Sequence, residues 1–322
     1  MSEKKKAVIL DASTVTDGDV SLEPLTSLCE TEVYAYSKPD EVAERIKDAE
    51  IVLTNKCMIS REVFEKCPNL KFVGVFATGY NNVDVAAARE RGAVVSNVPG
   101  YSTSSVAQHT FALILHHYSS VSKYSEYTSR GEWCFSKLFT HFGPPLFELS
   151  GKTIGIIGYG AIGKAVAKIA LAFGMNVAVC TRTPPENRDG IYVTNLEQLL
   201  KMSDIVTLHC PLTPETEKLI NEKTLSLMKN TALLINTSRG GTIDEPALRK
   251  TLDEGKIAGF GADVLTVEPM DKNCPLLGAK NCFITPHIAW APLETRIRLV
   301  GLVRENLLAY LSGEEKNNVA KR

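Results

Sequence analysis

The chain has 322 residues, of which 44% are hydrophobic and 23% charged. Its 36 Lys and Arg are balanced by 37 Asp and Glu, for a formal net charge of -1. That balance excludes the basic stripe of a nucleic-acid binder and a polybasic membrane patch, and the apolar content excludes a disordered chain and provides for two cores of ordinary size.

MSEKKK leads directly into AVIL, without the apolar core of a signal peptide. No apolar run approaches the length that spans a bilayer. The expected setting is cytoplasmic, without nucleic acid or membrane. Eight cysteines stand at 29, 57, 67, 134, 180, 210, 274 and 282, with no Cys-x-x-Cys pair. Buried, reduced thiols are the simplest account, and no metal site is expected.

In chain order, AVIL (7–10), EVYAY (32–36), IVLT (51–54), KFVGVFA (71–77) and AVVSNV (93–98) read as buried parallel strands. DEVAERIKDA, SREVFEKC and DVAAARERG between them read as helices. Asp84 can cap the last of these and Gly92 can end it. From 103 to 123 the pattern predicts one long helix, apolar around much of its circumference. Residues 124–149 are aromatic and irregular, carry Pro144-Pro145, and read as a connection between domains.

A second βα series starts at Gly151. TIGIIG (153–158) is a strand, followed by a helix over 161–173 with Ile162, Ala165, Val166, Ile169, Ala170 and Phe173 on one face. VAVC (177–180), DIVTLH (204–209), ALLINTS (232–238), GFGADV (259–264) and CFIT (282–285) continue the strands. A last helix over 292–312 has Leu299, Val303, Leu307 and Leu311 on a stripe and is expected to return to the first domain. Such alternation predicts an α/β fold with doubly wound parallel sheets.

Gly158, Gly160 and Gly163, with Ala161 and Ile162 between the last two, form G-x-G-x-x-G between a strand and a helix. The first glycine permits the turn, the second lets backbone approach a pyrophosphate, and the third lets helix pack on strand. The helix N-terminus offers unpaired N–H groups to the phosphates. A bare strand–helix turn is the alternative, but strand, loop, helix and next strand together favour a dinucleotide. At the end of the second strand, Val179-Cys180-Thr181-Arg182-Thr183 has no acid for a ribose 2′-hydroxyl. Arg182 can pair with a 2′-phosphate, so NADP tolerance is expected; a solvated Arg is the alternative.

Arg239 in NTSRGGTID, Glu268 in DVLTVEP and His287 in TPHIAWAP each follow a predicted strand of this second series. Singly, each has a bland reading: a loop contact, a turn cap, a packed histidine. Jointly they lie at strand ends, where α/β sheets bind ligands. Reduction of a 2-keto acid puts a hydride on the carbonyl carbon and charge on its oxygen. A protonated His287 can donate to that oxygen, Glu268 can brace the imidazole, and the Arg239 fork can orient the carboxylate.

Over nearly its whole length the chain resembles the D-isomer-specific 2-hydroxyacid dehydrogenase family. The carriers are ATGYNNVD (77–84), NVPGYSTSSVAQHT (97–110), GKTIGIIGYGAIG (151–163), HCPLTPET (209–216), INTSRGG (235–241), ADVLTVEP (262–269) and TPHIAWAP (285–292). ATGYNNVD and HIAWAP are most similar to glycerate dehydrogenases, also called hydroxypyruvate reductases. The resemblance implies a flavodoxin-like substrate domain (1–100 with 292–322) and a Rossmann NAD(P)-binding domain (101–291) flanking a cleft. It implies that Arg239, Glu268 and His287 are catalytic. It implies cofactor contacts at the glycine loop, Thr181, Arg182, Cys210, Pro211, Thr216, Thr237 and Ser238, and at Asp263 for the nicotinamide carboxamide.

Beside that loop, Cys210 also has an oxidation-sensitive reading. Thr78, Gly79 and Tyr80 match the family's substrate loop, and their N–H groups suit an anion nest. Asn55 and Trp290 are further substrate candidates. Gln108 stands where relatives often carry Glu and is assigned no chemistry. The family is commonly a homodimer. The alternatives are a nucleotide-sensing protein of the corepressor type, a reductase of another keto acid such as pyruvate, and formate dehydrogenase, which typically has Gln in place of Glu268.

Overall fold

Short runs rich in Val, Ile and Leu, flanked by turn residues, become parallel strands buried on both faces. The structure, a computed structural model, describes residues 4–185 and 190–321. It divides into two compact units, Met1–Ser102 with Trp290–Arg322, and Thr103–Ala289.

The first unit holds strands β1 (Lys6–Ile9), β2 (Glu30–Val33), β3 (Ile51–Thr54), β4 (Phe72–Val75) and β5 (Val94–Ser96). All pair in parallel, in the order β2-β1-β3-β4-β5. Helices α1 (Glu23–Thr26), α2 (Val42–Ile46), α3 (Arg61–Lys66) and α4 (Val85–Glu90) connect them. Ser60 caps α3, and Asp84 caps α4 by accepting from Ala87 N at 2.8 Å. Gly92 takes φ 68 just beyond α4, a conformation cheap only for glycine. Alternate residues of one strand feed two cores: Val8, Val52 and Val73 on one face, Ile9, Ile51 and Phe72 on the other.

In the second unit, α5 (Thr103–Ser119) and α6 (Val121–Ser129) precede β6 (Thr153–Ile157), α7 (Ala161–Ala172), β7 (Asn176–Cys180), β8 (Ile191–Val193), α8 (Leu196–Met202) and β9 (Ile205–Leu208). Then come α9 (Glu222–Leu225), β10 (Leu233–Asn236), α10 (Glu245–Asp253), β11 (Gly259–Ala262) and β12 (Cys282–Ile284). The sheet is parallel throughout, in the order β12-β11-β10-β9-β6-β7-β8. The strand order reverses between β6 and β9, the place at which sheets of this kind bind ligands. The last helix, α11 (Leu293–Leu311), packs in the first unit on α1 and β4 and buries Leu299, Val303 and Leu307.

Several expectations need correction. β2 spans Glu30–Val33 rather than 32–36 and is largely exposed, because it is an edge strand. β8, at the edge of the other sheet, is a short strand that apolar patterning did not disclose. The helix predicted over 103–123 is two helices, broken at Ser120, whose φ is 46. Residues 124–149 do not cross between units: they lie within the second, as α6 and a 3-10 turn at Glu132–Phe135.

The buried face of α7 is Gly163, Val166, Ala167 and Ala170, with Phe173 exposed at 40% and stacked on Phe111. Cys29, Cys57, Cys67 and Cys210 are buried thiols as expected, but Cys134 is exposed.

Candidate active site

The three loop glycines stand in three different surroundings. Gly158 has φ 93, and a Cβ there would lie 2.7 Å from the backbone of His209 and Cys210. A Cβ on Gly163 would lie 2.2 Å from Gly158 O, so helix and strand touch there. A Cβ on Gly160 would meet nothing within 4 Å. Its carbonyl accepts the Lys164 N–H as α7 begins, and the open space beside it leaves the helix N-terminus accessible to an anion. Ala161 and Ile162 open that helix, and Ile162 packs partly into the core beneath. The residues present therefore fit a dinucleotide.

Thr181 donates to Thr183 O at 3.4 Å, and Arg182 is exposed. The Glu215 carboxyl is held below its usual range, first by the Thr213 hydroxyl and with a smaller contribution from the Arg182 charge. Arg182 thus lies near an acid as well as in solvent. Thr216 ties its loop together, donating to Pro211 O at 2.6 Å and accepting from Thr213 N at 2.8 Å. Cys210 is 9% exposed, and burial raises its thiol pKa, which favours the packed thiol over the oxidation-sensitive one.

Asn236, at the end of β10, organises the Arg239 loop. Its Oδ1 accepts from Ser238 N at 3.0 Å and Oγ at 2.9 Å, and its Nδ2 donates to Arg239 O at 2.9 Å. Arg239 is exposed, with Nη1 on Ser238 O at 2.7 Å. Gly240 follows because nothing else fits: a Cβ there would lie 1.8 Å from Leu265 C. That glycine lets the Arg239 loop lie directly against the loop that carries Glu268.

Glu268 Oε1 accepts from Leu265 N at 2.8 Å, and Oε2 lies 2.5 Å from His287 Nδ1. A carboxylate only accepts, so the proton sits on Nδ1 and Nε2 is left for other chemistry. The two side chains are 30% and 34% exposed, open to a small ligand. Arg239 and the Glu268–His287 pair thus come from loops after β10, β11 and β12, at one edge of one sheet.

His287 has φ 55, a left-handed conformation that costs a non-glycine residue about 1–3 kcal/mol. Asp263 holds it. His287 N donates to Asp263 O at 2.9 Å, while the Asp263 carboxylate accepts from Ile288 N at 2.8 Å, Ala289 N at 2.8 Å and Thr285 Oγ1 at 2.6 Å. Asp263 is 2% exposed, so the acid expected to touch a nicotinamide has the histidine turn as its immediate task.

In the first unit, Thr78 is exposed and Gly79 and Tyr80 are half-buried at the end of β4. Thr78 Oγ1 donates to Val98 O at 2.8 Å, and Asn97 Nδ2 donates to Thr78 O at 2.7 Å. Asn306 Nδ2 in turn donates to Asn97 O at 3.0 Å, so the C-terminal helix supports this loop. Asn97 and Asn306 were not singled out from the sequence; their burial, at 3% and 2%, was the signal needed.

Asn55 is 4% exposed, and its Nδ2 donates to Thr14 Oγ1 at 3.1 Å. The buried Asp11 carboxylate gathers the N–H groups of Asn55, Lys56 and Cys57 and turns Asn55 inward. Trp290 falls in the first unit and packs edge-to-face on Tyr101, with centroids 6.4 Å apart. Gln108 is exposed.

Comparison with known proteins agrees with this fold. A family model described as D-isomer specific 2-hydroxyacid dehydrogenase, NAD binding domain, matches residues 111–289. A hydroxypyruvate reductase from Blautia hydrogenotrophica is 45% identical, over 98% of this chain and all of that one. A glycerate dehydrogenase from Methylorubrum extorquens is 38% identical, over 98% of this chain and 99% of that one.

Among solved structures, an NADPH-dependent glyoxylate/hydroxypyruvate reductase from Sinorhizobium meliloti, in complex with NADP and malonate, is 30% identical. It superposes with a TM-score of 0.85 over 99% of this chain and 98% of that one. With a dinucleotide loop at the sheet's switch point and matches across its full length, the chain is an NAD(P)-dependent oxidoreductase that belongs to the D-isomer specific 2-hydroxyacid dehydrogenase family.

Proposed function

We propose that this dehydrogenase reduces hydroxypyruvate and glyoxylate, yielding D-glycerate and glycolate. The observation that carries the reading is the Glu268–His287 pair at 2.5 Å, held at a sheet edge beside the Arg239 loop. Bound nicotinamide supplies or takes the hydride. His287 Nε2 gives its proton to the carbonyl oxygen as charge grows there, and takes it back in the reverse direction. Glu268 stabilises the imidazolium and fixes its orientation. The Arg239 guanidinium pairs with the substrate carboxylate and steadies the developing oxyanion. Within the first unit, the loop of Thr78, Gly79 and Tyr80 is proposed to bind an anion through its N–H groups.

The first unit is thus assigned to substrate and the second to coenzyme. A carboxylate-braced proton donor suits a ketone; formate releases hydride without a hydroxyl proton, which argues against formate oxidation. The intact acid–base pair argues likewise against a purely sensory, corepressor-like role.

Thr237, Ser238, Cys210, Pro211 and Thr216 are proposed to line the coenzyme together with the glycine loop, and Arg182 to accept a 2′-phosphate. A cytoplasmic setting, without nucleic acid, is part of the same proposal; no helix among the described residues is long and apolar enough to cross a membrane. A homodimer is favoured by Phe135, Phe139 and Phe142, exposed at 89%, 90% and 89% close together in sequence.

The test is a panel of keto acids assayed with NADH and with NADPH. Hydroxypyruvate and glyoxylate should give the highest kcat/KM. A tenfold preference for pyruvate or a bulkier acid would replace the assignment. Arg182→Ser should raise the KM for NADPH about tenfold, the loss of about 1.4 kcal/mol of phosphate pairing, and leave NADH unaffected. Equal effects on both coenzymes remove Arg182 from phosphate recognition.

A further inference from the structure

Helix α5 touches both loops that carry the proposed chemistry, through two adjacent residues. His109 Nε2 lies 2.8 Å from Thr285 Oγ1, two residues before His287. Thr110 Oγ1 lies 3.1 Å from Thr237 Oγ1, two residues before Arg239, and Thr110 is fully buried. The direction of the first contact follows from proton counting. Thr285 has one hydroxyl hydrogen, and Oγ1 is 2.6 Å from Asp263 Oδ1, which only accepts. The hydroxyl therefore donates to Asp263 and must accept from His109, whose Nε2 carries a hydrogen.

The result is a directed chain, His109 to Thr285 to Asp263. Asp263 also receives the N–H groups of Ile288 and Ala289, immediately after the left-handed His287. His109 itself is 3.6 Å from Asp263 Oδ1, with a side chain 18% exposed. It reaches the histidine turn by way of Thr285 and Asp263.

We propose that His109 is a positioning residue for the reaction: its Nε2–H fixes Thr285 on Asp263 and so holds the turn that aims His287. This rests on His287 being the acid–base group. A cut helix–loop bond leaves the coenzyme loop untouched but lets the imidazole wander, and small misplacements of a catalytic group are costly in rate.

The test compares His109→Leu with His109→Gln in the full chain, assayed for hydroxypyruvate reduction with NADPH. His109→Leu should lower kcat at least tenfold while the Kd for NADPH, read by fluorescence, changes less than twofold. His109→Gln, whose amide N–H reaches the same oxygen, should regain most of the loss. Thr285→Val against Thr285→Ser should repeat the pattern, which keeps the test available if the His109 variants fold poorly. Added to His287→Ala, His109→Leu should cost nothing more, because the two act in series.

Wild-type kcat in His109→Leu overturns the inference, as does equal loss in the Leu and Gln variants, or full additivity with His287→Ala. If His287→Ala itself turns over normally, the acid–base reading fails first. If His287→Ala is inactive and His109→Leu is unimpaired, only the role of His109 fails.

Discussion

His209 and His287 belong to the same unit and have opposite environments. The His209 ring donates or accepts at Nε2 with Thr207 Oγ1 at 2.9 Å, while its buried Nδ1 has no hydrogen-bond partner among the described residues. Burial lowers its pKa to about 3, so it is neutral at physiological pH. The folded value is below the unfolded value of about 6.5, so between the two the unfolded chain holds the extra proton. Stability is therefore intact above about pH 6.5 and falls as pH drops, by about 1.4 kcal/mol per pH unit from this one group. Urea unfolding of wild type and His209→Gln between pH 6.5 and 4.5 should give the shallower pH slope to the variant; parallel slopes would mean that His209 does not titrate in this way.

His287, by contrast, has a carboxylate at 2.5 Å and a partly open ring. Glu268→Gln retains the shape but removes the charge, and keto acid reduction should fall by a substantial part of the about 10²–10⁴ that a positioned acid–base group contributes. Unchanged kcat and KM would reduce Glu268 to a loop cap. Both histidines were visible in the sequence, but which one was packed was not, because neighbours far along the chain set the environment.

At the scale of elements, Gly240 decides whether the Arg239 and Glu268 loops can meet. Its Cβ would fall 1.8 Å from Leu265 C and 2.1 Å from Leu265 O, an overlap that backbone cannot absorb in place. Gly240→Ala should separate the loops, destabilise by about 1–3 kcal/mol and remove most activity. Thermal melts with steady-state assays check this, and a variant of normal stability and rate would show that the loops are not packed as described. The glycine was legible as part of a motif, but its reason was not, since the crowding atom lies in another loop.

Elements differ in the same way. The fully buried strands β3, β4, β9 and β10 follow directly from their apolar runs, because burial on both faces demands such residues. Edge strands β2 and β8 carry weaker patterns, because one side meets solvent. The break at Ser120 leaves no Gly or Pro signal at that position.

For the whole molecule, the exposed Phe135, Phe139 and Phe142 make a prediction about assembly. Sedimentation should show a dimer, and Phe135→Asp with Phe139→Asp should shift it to monomer; a wild-type monomer at micromolar concentration would refute the proposed interface. The sequence by itself determined the α/β class and the dinucleotide loop, and it singled out Arg239, Glu268 and His287 as candidates, because these depend on local periodicity, glycine conformation and residue chemistry. Tertiary structure alone decided that Asp263 holds the histidine turn, that Asn55 faces inward, that Asn97 and Asn306 support the Thr78 loop, and that His109 reaches Thr285. Those are hydrogen bonds between residues up to hundreds of positions apart, and a side chain's partner at that distance is chosen by the packing of the sheet and helices, which no local pattern records.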